Sequence, residues 1–390
     1  MKYKYQLITI GTTGDLSDKI INLFFVQIKE LKLDKDAFII IDETNYSKEY
    51  KGNQPAFAIY FGDEDGNFKH LDIIDSLIKD GTIILPVFYN DNCFGIEIPK
   101  VLENQNGLLY DSTKNIKIVN LALESFELLR TSRKVFVSYK RNESTSVAIQ
   151  LYEALERNNF DVFLDTHSIK QGEPFQEELW HRMTDCDVIV LLNTPKFLDS
   201  YWCKEEIAEA SAKQIGIIQL VWPNHKLEAM AHVCLPIQLQ STDFEESVFD
   251  NENASKLVEP FVNNLVSEVE SMRARNLASR QDNLITEFTN FAVKYGKSIN
   301  LQPERFVTEE LGGNKKRIFI PTVGIPQSVN CNQSEEIIKE IKDYEVDSVH
   351  LIYDDLRIRD KWLTHLDWLN GYLKVQTIKK KNFDRWLKEN

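Results

Sequence analysis

The stretch Ser200-Tyr201-Trp202-Cys203-Lys204-Glu205-Glu206-Ile207 sets two carboxylates beside an aromatic ring on what reads as a helix. At ~100° per residue, Cys203, Ile207 and Ala210 form one apolar stripe that must face a core. Glu206 falls on the border of that stripe, one turn beyond Trp202, and Glu205 points almost directly away into solvent. A carboxylate at the border of a buried face can line a cleft, exclude water and stabilise developing positive charge. Glu206 is therefore the candidate catalytic residue. Trp202 reads first as a packing anchor and second as a stacking platform for a base. Cys203 lies on the inward stripe and reads as core, not as a nucleophile. Upstream, Arg133-Lys134-Val135-Phe136-Val137-Ser138-Tyr139-Lys140-Arg141 runs an apolar strand into a Ser-Tyr and two cations. Ser138, Tyr139 and Lys140 thus sit at the carboxyl end of a strand, where open α/β sheets bind ligands. Lys140 or Arg141 could pair with a pyrophosphate or simply stand in solvent.

Other chemistries are weaker. The five cysteines include no C-x-x-C pair and the seven histidines no H-E-x-x-H, which argues against a disulfide framework and against a metal site. Gly11-Thr12-Thr13-Gly14-Asp15 follows a strand and precedes a helix, as a phosphate cradle would. It lacks G-x-G-x-x-G and the P-loop lysine, so a plain turn is the better reading. Asp354-Asp355 with Arg357, Arg359 and Asp360 reads as a solvated strand end, and Trp362, Leu366 and Leu369 as core at helical spacing, with Trp368 flanking.

The elements that must position these residues are apolar strands alternating with amphipathic helices, which implies parallel sheets covered on both faces. A first block, residues 1–129, has strands at Leu7–Ile10, Phe38–Ile41, Phe57–Phe61 and Ile83–Tyr89. A second, 132–248, has Val162–Asp165 and Val188–Leu192 after its opening strand. Residues 251–300 read as a helical connector, a pair of helices. The last block, 312–390, reads as a small α/β unit with strands at Ile318–Ile320, Val349–Tyr353 and Val375–Ile378. The 390 residues are 43% apolar and 27% charged, the balance of a globular protein, and no apolar run reaches the ~18–20 residues of a membrane span. A net charge of −14 opposes binding to nucleic acid. A reducing cytoplasm is the expected setting.

Taken in order, the Phe136-Val137-Ser138-Tyr139 start, the Phe163-Leu164-Asp165 strand with its loop to Gly172, Cys186-Asp187 and the Ser200 to Ile207 element resemble the TIR (Toll/interleukin-1 receptor) family. The resemblance covers residues 132–248. It implies a flavodoxin-like five-stranded parallel sheet flanked by further α/β domains. It also implies cleavage of NAD by the glutamate at position 206, with NAD as substrate and no cofactor. Ser138, Tyr139, Lys140, Arg141, Asp165 and Trp202 become candidate NAD contacts. His167 reads equally as ligand or plain loop residue. The loop from Asp165 to Gly172 matches one that controls access and assembly, which implies a homo-oligomer on activation. The same resemblance suggests an antiviral defence role. It leaves open a non-catalytic scaffold, or a synthase whose cyclic product is the output. The first block looks like an old duplication without a counterpart of Trp202 and Glu206, hence a non-catalytic partner. The last block is the candidate sensor for an activating ligand or protein.

Overall fold

Among the described residues of the computed structural model, strand–helix alternation resolves into three five-stranded sheets. The structure describes residues 4–31, 33–126, 128–164, 175–196, 215–225, 234–251, 253–341 and 343–390. The chain divides into two units, 1–131 and 132–390.

In the first unit, strands β1 (Tyr5–Gly11), β2 (Phe38–Ile41), β3 (Ala56–Phe61), β4 (Ile83–Phe88) and β5 (Leu108–Leu109) pair in the order β2-β1-β3-β4-β5, all parallel. Every residue of β1 is buried, as expected of a central strand covered on both faces. Helices α1 (Asp15–Glu30), α2 (Tyr46–Glu49), α3 (Leu71–Lys79), α4 (Phe94–Glu97) and α5 (Asn115–Ser125) complete the unit. The Gly11 turn serves the fold. Its φ of 92° suits glycine, and a Cβ there would overlap the Phe61 carbonyl oxygen. Its N–H donates to His70 Nδ1 at 3.1 Å, and Thr12 donates through its own N–H to Phe61 O at 2.8 Å.

The second unit opens with β6 (Lys134–Ser138), β7 (Asp161–Leu164), β8 (Val188–Asn193), β9 (Gly216–Val221) and β10 (Leu235–Gln238), ordered β7-β6-β8-β9-β10 and all parallel. This is the order of the first sheet, strand for strand. One face carries Val135, Val137, Val188, Val190, Ile218 and Leu220 beneath helix α6 (Arg141–Arg157). The other carries Phe136, Ile189, Leu191 and Ile217 beneath helix α7 (Phe175–Asp185).

The connector is one continuous 36-residue helix, α8 (Glu259–Lys294), where the sequence suggested a pair. At 1.5 Å per residue it is ~54 Å long. Its first half packs Val262, Leu265, Val266 and Val269 onto the β6–β10 sheet, opposite α7. Its second half puts Leu284, Ile285, Phe288 and Ala292 into another core with Val307, Phe319, Ile352 and Ile378. That core belongs to a sheet of β11 (Ile299–Leu301), β12 (Val307–Gly312), β13 (Lys315–Thr322), β14 (Glu345–Tyr353) and β15 (Val375–Lys379), in sequential order. The first two pairings are antiparallel and the last two parallel. The sheet therefore begins at Ile299, ahead of the boundary at 312 read from the sequence. Helices α9 (Ser328–Glu340), α10 (Asp360–Leu369) and α11 (Phe383–Glu389) complete it.

Candidate active site

A parallel sheet ordered 2-1-3-4-5 has its topological switch point between its first and third strands, and ligands bind at the carboxyl ends there. In the second unit those strands are β6 and β8. The first leads into Ser138, Tyr139, Lys140 and Arg141, the second into Asn193 and Thr194.

Strand alternation sends these residues to different places. Ser138 is fully buried and follows Phe136 on the α7 face. Tyr139 is 5% exposed and packs with Val137 in the core beneath α6 and α8, the opposite face. Lys140 donates from Nζ to the carbonyl of Lys196 at 2.7 Å, tying the segment after β6 to the segment after β8. Lys196 in turn donates its N–H to Glu143 Oε2 at 3.2 Å. Arg141 is the exposed first residue of α6, whose opening turn is broken at Ser144 (φ −148°, ψ 26°). The structure thus brings Ser138 and Lys140 to the switch point and turns the Tyr139 ring away from that face. Asp165, His167, Trp202, Cys203, Glu205 and Glu206 lie outside the described residues.

Two polar residues at this place went unremarked in the sequence. Asn193 ends β8 and Gln219 lies within β9; both are fully buried. Ser138 pairs with Leu191, and Leu191 with Gln219, so Ser138 and Gln219 share one row across the sheet. Asn193 stands two residues beyond Leu191 on the same face. Neither amide atom of either side chain has a hydrogen-bond partner, and the Thr194 hydroxyl is likewise unpartnered. A buried polar group left this way costs ~1–3 kcal/mol. Their signal in the sequence was a carboxamide ending or interrupting an otherwise apolar run, Val188–Asn193 and Gly216–Val221.

At the other end of the strands the charges are paired. Arg273 of α8 and Asp187, both fully buried, meet at 3.3 Å, and Arg273 lies 3.8 Å from Glu270. Glu270 also binds Arg133, and Asp187 accepts the Lys134 N–H at 3.1 Å. Among the described residues no group of His, Cys, Asp and Glu could hold a metal ion.

Residues 135–258 match the TIR domain family. Over 90 residues the chain is 27% identical to a protein of Brachypodium distachyon named as a probable 2′ cyclic ADP-D-ribose synthase, covering 23% of this chain and 40% of that one. Over 119 residues it is 23% identical to a 2′ cyclic ADP-D-ribose synthase of Bacteroides thetaiotaomicron, covering 30% and 40%. The chain therefore spans two fifths of the length of these relatives. Among solved structures, tagatose-6-phosphate ketose/aldose isomerase from Escherichia coli aligns over 73% of this chain and 82% of its own, with 10% identity and a TM-score of 0.19, a likeness that carries no argument. The sheet order, the ordered motifs and the family match converge on one conclusion: residues 135–258 of this chain form a TIR domain.

Proposed function

We propose that this TIR domain cleaves NAD at its nicotinamide–ribose bond, with Glu206 as the catalytic carboxylate. The observation that carries the reading is the match of residues 135–258 to a domain whose relatives here are named as cyclic ADP-ribose synthases, joined to the Trp202–Glu206 spacing in this sequence. The chemistry asks little of the protein. Nicotinamide bonded to ribose is a cationic pyridinium, so it leaves with the bonding electron pair as a neutral molecule and needs no general acid. That removes one of the two carboxylates of an ordinary glycosidase. What remains is an oxocarbenium-like ribose, which one fixed carboxylate stabilises electrostatically while accepting hydrogen bonds from the ribose hydroxyls. Water adding to that carbon gives ADP-ribose and a proton; a nucleophilic atom of the same molecule gives a cyclic isomer.

The site works when chains assemble, and the cellular role we infer is defence by depletion of NAD or release of a cyclic signal. The test incubates the full chain with NAD and resolves nicotinamide, ADP-ribose and cyclic products across a wide range of protein concentration. Glu206→Ala abolishes nicotinamide release with little change in melting temperature, Glu205→Ala behaves as wild type, and specific activity rises with concentration. No nicotinamide release at any concentration, or an active Glu206→Ala, overturns the assignment.

A further inference from the structure

Asn193 and Gln219 are, among the described residues, the two amide side chains buried with neither amide atom hydrogen-bonded. Gln27, Asn115 and Asn120 leave the side-chain oxygen, but not the nitrogen, in that state, and other amides are paired through both atoms. Gln6 bonds Lys51 through both side-chain atoms, at 2.7 and 2.9 Å, and Gln150 does the same with Leu257 at 2.8 and 2.7 Å. Two whole carboxamides left unpaired on neighbouring strands and on one face, next to the switch point, are donors and acceptors that a ligand could satisfy. Apolar residues would pack there without penalty.

We propose that Asn193 and Gln219 form the hydrogen-bonding floor of the site and read a primary carboxamide, that of the nicotinamide ring in the substrate; this rests on the NAD-cleaving reading. A primary carboxamide offers an N–H₂ donor pair and a carbonyl acceptor, the complement of what Asn and Gln offer. The strand spacing of ~4.8 Å and the two-residue offset along β8 set the two Cα atoms on the order of 8 Å apart. One amide with a hydrogen bond on each side can bridge that separation. The floor binds and orients the leaving group; Glu206 acts on the ribose.

Three measurements on the full chain test this: the melting temperature, its rise with added nicotinamide, and the turnover ratio of NAD to its 3-acetylpyridine analogue, in which a methyl group replaces the amide nitrogen. Wild type is protected by nicotinamide and prefers NAD by about tenfold or more, the worth of one good hydrogen bond. Asn193→Leu and Gln219→Met melt higher than wild type, lose nicotinamide protection and lose the preference. Asn193→Ala, which adds no bulk, repeats the last two results if the leucine fails to fit. A lower melting temperature in both Asn193→Leu and Gln219→Met means that the amides serve the fold, and overturns the proposal. So does any folded variant that keeps both protection and preference, or a wild type that nicotinamide fails to protect. The NAD-cleaving reading fails separately: if wild type releases no nicotinamide from NAD yet is protected by nicotinamide and the variants are not, the floor stands without the reaction.

Discussion

Arg273 holds Asp187 and Glu270 at once, all three buried, and Glu270 in turn holds Arg133. Such a network is an anchor more than a source of net stability, since desolvating four charged groups offsets most of the attraction. Its removal is asymmetric. Arg273→Leu leaves Asp187 buried without its cation, a loss of roughly 3–5 kcal/mol. For a unit of this size that corresponds to a drop in melting temperature on the order of 10 °C. Differential scanning calorimetry of the full chain should show the transition of the second unit shifted by this amount, and that of the first unit unmoved. The Asn193 and Gln219 amides present the contrasting case: among the described residues these two buried side chains have no partner, whereas the buried charges of Arg273, Asp187 and Glu270 are paired.

Among elements, α8 lies close against the TIR sheet. A Cβ on Gly216, the first residue of β9, would overlap the Asn276 side-chain amide and Met272 Cγ on that helix. Gly216→Ala should cost ~1–3 kcal/mol through overpacking, and Asn276→Ala in the same chain should restore part of it. Thermal melts of the single and double variants give the answer, and strictly additive losses would count against the contact. A second element-scale expectation concerns β14. His350 is 5% exposed, stacked on Phe319 at 5.6 Å and edge-on to Trp386 at 4.9 Å. Its Nε2 faces Ser348 Oγ at 3.3 Å. Burial first, and the Arg317 charge second, push its pKa down from 6.5 to about 4, against the opposing pull of Asp347. The unfolded chain therefore binds the proton more readily between those values. Stability is full above pH ~6.5 and falls as the pH drops from there through about 4, by on the order of 3 kcal/mol. His350→Phe should flatten that part of the stability–pH curve of the second unit; an unchanged slope would show that another group sets it.

The whole second unit is built on one shared helix. Val262, Leu265, Val266 and Val269 complete the TIR core at ~1.5–3 kcal/mol apiece, together comparable with the entire stability of a domain. A fragment 132–258, cut where the family match ends, should therefore fail to fold, whereas 132–390 and 1–131 should each fold alone. Circular dichroism and limited proteolysis decide between these outcomes. The last sheet also grips α7 directly. Arg357 lies over the Trp180 ring at 4.2 Å, Trp362 stacks on His181 at 5.6 Å, and the Ile325 N–H donates to Asp185 Oδ1 at 3.0 Å. These contacts and α8 give the C-terminal sheet two physical routes to the TIR domain. Trp362 spacing was read as core in the sequence; the residue is 41% exposed, with its ring stacked on His181.

Period and punctuation in the sequence were enough to place most strands, to predict parallel sheets in the first two blocks and to put Ser138 and Lys140 at a strand's carboxyl end. These are local matters, settled by which residues repeat every two or every 3.6 positions. The opposite facing of Ser138 and Tyr139 follows from the same alternation. Strands β5, β9 and β10 and the antiparallel pair β11 and β12 were missed; β5 and β11, with two and three residues, are too short to show a period. That α8 runs unbroken was hidden because its apolar stripe changes sides partway, one half serving each core, so the summed pattern reads as two helices. Nor could any period announce that Arg273 would meet Asp187, 86 residues away in the chain, or that Asn193 and Gln219 would be enclosed without partners. Pairing between distant charges and the burial of a polar side chain depend on what the rest of the chain brings against it, and only the tertiary structure decides that.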